Sequence, residues 1–310
     1  MKNRKRYMMS GLSPIYRILF AILLIFICVT GCLDEKSEQG RVIENEQNRG
    51  VVPVFSPAGV SQQQTSEDAR NVCDAVTQTL TAELETINRS LMKDTGYLAI
   101  HGMESPHAQK VLSETRNSSS YIYSPILLNH ELIITGVASD EYAGIIGSDL
   151  SNQAHLQDVI TLKKPVMGGL IQTVEGIPAI PISYPVIVNG TVSGVLSVLI
   201  EQKEIFSDAI LMADPERRFE TFIMQPDGLI IYDTDPLRIN KNVSADSFSQ
   251  EHPSLTAIVH QIKNETSGTG VYEFQSEMSL DLVTKEVVWN TTGLYGGEWR
   301  IVVSRGISEA

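Results

Sequence analysis

Apolar residues in this chain follow a helical period first and a strand period afterwards. Ala69, Val72, Cys73, Val76, Leu80, Leu84, Ile87 and Leu91 recur at spacings of three and four, which predicts one continuous apolar stripe on a long helix. Thr65 and Ser66 offer hydroxyl caps, and Glu67 and Asp68 set acids at the positive end of the dipole, so the helix is expected to start there and to end at Gly96. A shorter helix is predicted from about Ser105 to Arg116. From Tyr121 onward the pattern becomes strand-like. Runs around Tyr121 to Leu127 and Leu132 to Ala138 flank the turn residues Asn129-His130-Glu131. After an irregular stretch to Gly147, a short helix is expected from Leu150 to Leu162. AIPISYPVIV, Asn189-Gly190 and TVSGVLSVLI then form the strongest local signal, because Asn-Gly between two β-rich runs is the preferred chemistry of a type I′ hairpin.

The order then repeats. Asp214 to Arg218 is polar and punctuated, as a junction would be, and FETFIMQ, Pro226-Asp227-Gly228 and LIIYDT read as strand, turn and strand. A helix from about Pro253 to Asn264 and three β-runs, VYEFQ, LVTKEVVWN and EWRIVVS, complete the chain, with Gly293 to Gly297 as the last turn. Both halves run hairpin, irregular loop, helix and antiparallel strands, as an old duplication would. Strands segregated from helices indicate an α+β class with two antiparallel sheets.

The first 31 residues change the picture of composition. They hold Lys2, Arg4, Lys5, Arg6 and Arg17 ahead of the apolar run ILFAILLIFICVT and end in Val29-Thr30-Gly31, followed by Cys32. A basic head and an apolar stretch shorter than a bilayer span describe a secretory signal. The Val-Thr-Gly-Cys ending resembles the lipobox of bacterial and some archaeal lipoproteins, which implies cleavage before Cys32, acylation of its thiol, and anchorage to the outer face of the cell membrane. An uncleaved anchor reached from Leu12 onward is the alternative, and it too leaves the remainder outside. Loss of five basic and no acidic side chains takes the formal charge from −13 to about −18. So acidic a surface repels phosphate, which excludes nucleic acid as a partner. After cleavage Cys73 is left alone, so no intramolecular disulfide forms, and its place on the helical stripe makes it a small buried hydrophobe. Residues 33–63 are polar and acidic without periodicity, a tether spanning roughly 30 Å.

Six Asn-x-Ser/Thr sequons begin at Asn88, Asn117, Asn189, Asn242, Asn264 and Asn290, where this composition would give about two by chance, so glycosylation is a candidate modification. Ordinary turn chemistry also yields such triplets. The histidines at 101, 107, 130, 155, 252 and 260 show no metal-ligand spacing, and neither His-Glu-x-x-His nor Cys-x-x-Cys occurs, so no metal and no cofactor is expected. Asp233-x-Asp235 starts like a calcium loop, but Leu237, Arg238 and Ser244 stand where ligand, glycine and bidentate acid belong, so it reads as a turn. Gly268-Thr269-Gly270 lacks the strand-to-helix setting of a phosphate cradle, and no Gly-x-Ser-x-Gly elbow is present. The chain is not expected to be an enzyme.

Several fragments, in order, resemble the double Cache, or PDC-like, sensory domains found outside the membrane in chemoreceptors and sensor kinases. Gly147-Ser148-Asp149 through His155-Leu156 is similar to the family's G-x-D-x-S-x-R-P-Y-F. Lys164-Pro165 follows, and Gly176-Ile177-Pro178 through Ile182-Ser183-Tyr184-Pro185-Val186 is similar to its G-x-P-x-x-x-I-S-x-P-V. Asp227-Gly228-Leu229-Ile230 and Ile239-Asn240-Lys241-Asn242 match D-G-x-I and I-G-K-N, with Asn240 in place of Gly. The resemblance implies a long helix alongside two PAS-like Cache modules: 1–31 signal peptide, 32–63 tether, 64–206 long helix and membrane-distal module, 207–218 junction, 219–306 second module. It also implies a small-molecule ligand in the first module, near Asp149, Gln153, His155, Gln172 and Tyr184. Asp149 is expected chiefly to cap the helix after it, and Tyr184 to face either pocket or core.

Amino-acid-binding members hold the ligand carboxylate with Arg and two aromatics and its amine with an acid. Here Gln153, His155 and Leu156 stand at the first set and Gln172 at the last. Two charge-assisted contacts of about 1.5 to 3 kcal/mol each are thereby missing, so a neutral or hydroxylated solute is expected rather than a free α-amino acid. No apolar span follows residue 200, so the expected protein is a lipid-anchored sensor or capture protein without its own output, acting through a separate membrane signalling or transport partner. The alternative is a cell-envelope adhesion or structural module with a degenerate pocket, in which positions 153, 155, 172 and 184 meet without a cavity.

Overall fold

The computed structural model describes residues 62–104, 106–173, 177–244, 252–275 and 282–307. The leader, Cys32 and the tether as far as residue 61 lie outside the described residues, whereas Gln62 and Gln63, read as the end of the tether, are already helical. Helix α1, Gln62–His101, starts three residues before Thr65 and carries the whole predicted stripe, every member of which is buried. It does not stop at Gly96. Leu98 extends the buried stripe by two turns beyond Leu91, and burying it is worth about 1.5 to 3 kcal/mol against about 1 for a helical glycine. The end comes at Gly102, whose φ of 86° suits the left-handed cap and whose N–H donates to Leu98 O at 2.8 Å. Helix α2, Pro106–Asn117, is tied to α1 by Thr115 Oγ1, which donates to the buried Asp94 carboxylate at 2.7 Å.

The strands form two antiparallel sheets of one topology. In the first, β1 (Ile126–Asn129), β2 (Ile134–Val137), β3 (Val166–Met167), β5 (Pro178–Val188) and β6 (Thr191–Ile200) lie in the order β2-β1-β6-β5-β3, and β4 (Ile171–Gln172) adds to β5. In the second, β7 (Glu220–Met224), β8 (Ile230–Asp233), β9 (Gly268–Gln275), β10 (Leu282–Leu294) and β11 (Gly297–Ile307) lie in the order β8-β7-β11-β10-β9. Each sheet thus places its initial hairpin beside its last strand, which is the arrangement the repeated order of elements implies. Asn189 and Gly190 have φ of 51° and 78°, as the type I′ hairpin requires. Asn129 Oδ1 holds the first hairpin by accepting the N–H of Glu131 and of Ile133, and Asp235 Oδ1 accepts from Leu237 N in the turn that the Asp233-x-Asp235 pattern suggested.

Two helices cover the outer faces: α3, Ala154–Leu162, on the first sheet, and α5, Pro253–Asn264, on the second. Between the sheets runs α4, Gln202–Ala213, which the sequence reading leaves out and which crosses residues 206 and 207, where that reading sets the edge of the first module. It follows β6 with no side-chain cap at Glu201, so the usual start signal is missing. Its Ile205, Phe206, Ala209 and Ile210 join α1 and the inner faces of both sheets in one core that includes Ile182, Tyr184, Val198, Ile223, Trp299 and Ile301. The outer faces have separate cores: Leu128, Val195, Leu156 and Val159 under α3, and Met224, Trp289, Val302, Ile258 and Ile262 under α5.

Candidate functional site

The outer face of the first sheet brings two of the predicted residues together. The chain turns into α3 at residues 149–153, where Asp149 Oδ1 accepts the Ser151 N–H at 2.8 Å. The Ser151 hydroxyl, and with it that N–H, holds the Asp149 carboxyl below the usual carboxylate range, and the residue is exposed. Asp149 is therefore a turn residue rather than the expected helix cap, since α3 begins only at Ala154. Gln153 occupies the N-cap position, half-buried, and its side chain makes no capping bond. His155 follows in the first helical turn, with its ring against the 167–170 segment: a Cβ on Gly168 would lie 3.3 Å from His155 Cβ and 2.8 Å from Pro181 Cγ. Burial pushes the imidazole down to about 4, opposed in part by Asp158, so the ring is neutral at neutral pH and offers one donor and one acceptor.

Pro181 leads along the same face of β5 to Ser183, whose Oγ shares a 2.8 Å hydrogen bond with Ser197 on β6. Both serines are buried, at 0% and 3% exposure. Tyr123 and Tyr142 meet edge to face at 5.8 Å beside this core, and Ser139 Oγ is enclosed with no hydrogen-bond partner among the described residues. Small hydroxyls, aromatic rings and a neutral imidazole suit a polar, uncharged solute. Among the described residues no group of three or more His, Cys, Asp or Glu could hold a metal ion.

The remaining predicted residues stand elsewhere. Gln172 is exposed on β4, opposite Pro178, in the register alternate to that of Ala179 and Pro181. Tyr184 lies on the inner face, 3% exposed in the α1 core, and its hydroxyl donates to Tyr295 Oη at 2.8 Å. Positions 155 and 184 thus occupy opposite faces of one sheet, so the four side chains that the degenerate-pocket alternative brings together do not meet. Ser183, Ser197, Tyr123 and Tyr142 were not singled out from the sequence. In β5 the residues on both faces are buried, so alternation carries no hydropathy signal to choose Ser183 over Tyr184.

The second module carries bulkier side chains on the same framework. Counting inward from the hairpin turns, Ser183–Ser197 is the sixth pair of β5 and β6, and the sixth pair of β10 and β11 is Trp289–Val302. Trp289 is 2% exposed, stands over Gly268, and donates Nε1 to Glu265 O at 3.1 Å. Arg300, two residues from Val302 on the same face, donates Nε to Ile262 O at 3.0 Å at the end of α5 and ion-pairs with Glu298. The face under α5 is locked by an indole and a guanidinium, whereas the face under α3 has hydroxyls and a half-buried His155.

Comparison with known proteins gives the same architecture. Residues 82–202 match the family model described as HK/GC/Chemotaxis protein-like, sensor domain. No curated protein matches the chain. Among solved structures, the chain is similar to an extracellular ligand-binding receptor from Desulfohalobium retbaense, with 25% identity and a TM-score of 0.64 over 76% of this chain, though it spans only 39% of that receptor. It is also similar to the ligand-binding domain of the Pseudomonas aeruginosa amino acid chemoreceptor PctB, solved with L-Arg (15% identity, TM-score 0.59, covering 79% of this chain and 96% of that one). The periplasmic sensory domain of the Campylobacter jejuni chemoreceptor Tlp1 is comparable (15% identity, TM-score 0.56, covering 78% and 95%). With its tandem antiparallel sheets beside one long helix, the described part of this chain has the fold of dCache, or PDC-like, sensor domains.

Proposed function

We propose that this chain is an exported, lipid-anchored sensor-type binding protein whose first module takes a small, neutral, hydroxylated molecule on the sheet face beneath α3. The observation that carries the reading is the contrast at the sixth strand pair: Ser183 and Ser197 where the second module has Trp289 and Val302. Hydroxyls that already bond to each other can re-pair with a ligand hydroxyl, and His155 and Gln153 at the start of α3 complete an uncharged set. No cation stands in the Gln153 or His155 position to bind a carboxylate, which sets this site apart from one for a free α-amino acid. Cys32 would carry the lipid, and a separate membrane protein, a signalling receptor or a transporter, would receive the ligand or its signal.

Thermal-shift screening of the chain against sugars, polyols and the free amino acids tests the ligand. A ligand at about one hundred times its Kd adds about 2.7 kcal/mol, several degrees in Tm for a domain of this size. The expected response is confined to neutral hydroxylated compounds and disappears in Ser197→Leu. A response to amino acids alone, or none to any compound, would overturn the proposal. Anchorage is tested by labelling cells with a fatty-acid probe, which Cys32→Ser should lose together with the membrane fraction.

A further inference from the structure

Four consecutive residues leave the first sheet and reach the second. Met167 pairs with Ile182 at the edge of the first sheet, and its Cγ would stand 2.8 Å from a Cβ on Gly297, where β11 begins. Gly168 donates its N–H to Pro181 O at 2.9 Å and lies under the His155 ring. A Cβ on Gly169 would sit 3.0 Å from Gln225 Oε1, and the Leu170 N–H donates to that same oxygen at 2.9 Å. Gln225 in turn frames the β7–β8 turn, its N–H bonded to Leu229 O and its carbonyl accepting from Gly228 N. A second link runs alongside: Tyr184 on β5 donates to Tyr295 in the β10–β11 turn, and Tyr295 donates to Asn88 on α1 at 2.6 Å.

We infer that residues 167–170 are a strap that couples the start of α3 to the turns of the second sheet. The contacts at Gly168, Gly169 and Gly297 leave no space for even one added carbon without displacement, and close-packed contacts pass a displacement on rather than absorb it. A shift of the His155 ring moves Gly168; the segment then re-aims the Leu170 N–H, and Gln225 carries the change into residues 225–229. The two tyrosines keep the sheets in register while the strap moves. This inference takes the α3 face as the input site, in line with the function proposed above, but its test needs no ligand.

Hydrogen exchange of the full chain, read by mass spectrometry, compares the native protein with His155→Ala, Gln225→Ala and the double variant. His155→Ala should raise exchange several-fold in residues 225–230. By reciprocity of coupling, Gln225→Ala should raise it in residues 155–160. In the Gln225→Ala background, His155→Ala should add nothing at 225–230. A rise confined to residues 150–185 in His155→Ala, or fully additive effects in the double variant, would overturn the strap. Should His155→Ala unfold the chain, His155→Gln, which keeps bulk beside Gly168, is read in its place, with a smaller rise at 225–230 expected and none counting against the strap. Cross-module exchange without any metabolite response would remove the ligand reading and leave the strap standing; ligand binding with exchange changes only in residues 150–185 would do the reverse.

Discussion

Replacing His155 by Gln isolates the consequence of enclosing an imidazole. The ring lies against Gly168, and its burial holds the pKa at about 4 against an ordinary 6.5. Between those values the unfolded chain binds a proton that the folded protein refuses, so the folded state loses stability as the pH falls. The contribution is intact above the unfolded value of 6.5, declines through the interval, and levels off below about 4. Near pH 5 the unfolded imidazole is almost fully charged and the folded one almost fully neutral, which is worth about 2 kcal/mol relative to neutral pH. Carboxylates titrate over the same range, so the informative quantity is the difference between the native protein and the variant. Trp289 and Trp299 are the only two tryptophans and both are buried, so their fluorescence reports urea unfolding directly. The native protein should lose about 2 kcal/mol more than His155→Gln between about pH 7.5 and pH 5. Parallel losses in the two proteins would refute the burial argument and with it the neutral ring assigned to the site.

Arg300→Ala should destabilise the chain by about 1.5 to 3 kcal/mol in the same urea assay, because the 4% exposed guanidinium bonds Ile262 O and Lys263 O at the end of α5, whereas the half-exposed Glu298 regains water. Cys73, its thiol pushed up to about 12 chiefly by burial, should resist alkylation in the folded protein and react on unfolding; labelling of the folded protein at the rate of an exposed thiol would contradict its place on the buried stripe of α1. If the host glycosylates sequons, intact-mass and peptide analysis should find the exposed hairpin Asn189 and the exposed Asn117 modified and Asn290 bare, because Asn290 Nδ2 is committed to Asp74 Oδ1 at 3.1 Å.

Much of this fold is legible in the residues because burial is one-sided where it matters most. The α1 stripe has a clear period, and the Asn189-Gly190 hairpin and the α5 span from Pro253 to Asn264 add unambiguous turn and end signals. The errors have a common cause, which is local signals outweighed by packing. Gly96 looks like a stop, but Leu98 is worth more buried than the glycine costs; α4 lacks a cap yet forms because Ile205 and Phe206 enter the shared core. Within the candidate site, the helix carrying His155 is legible in the sequence, whereas the direction of Tyr184 and the Ser183–Ser197 pair need the sheet itself. A strand buried on both faces spells out no inside and no outside.

The common core beneath α1 also bears on how such a chain can change over evolutionary time. A helix of 40 residues is about 60 Å long, and its stripe is covered by Ile182 and Val198 from one sheet and by Ile223 and Ile301 from the other. Neither sheet has an inner face of its own to fall back on. A change that deletes or exchanges one module therefore exposes apolar surface of the other, which ties the two modules together as independent domains are not tied. What stays open to variation is the outer face of each sheet, where the sixth strand pair is Ser183–Ser197 in one module and Trp289–Val302 in the other.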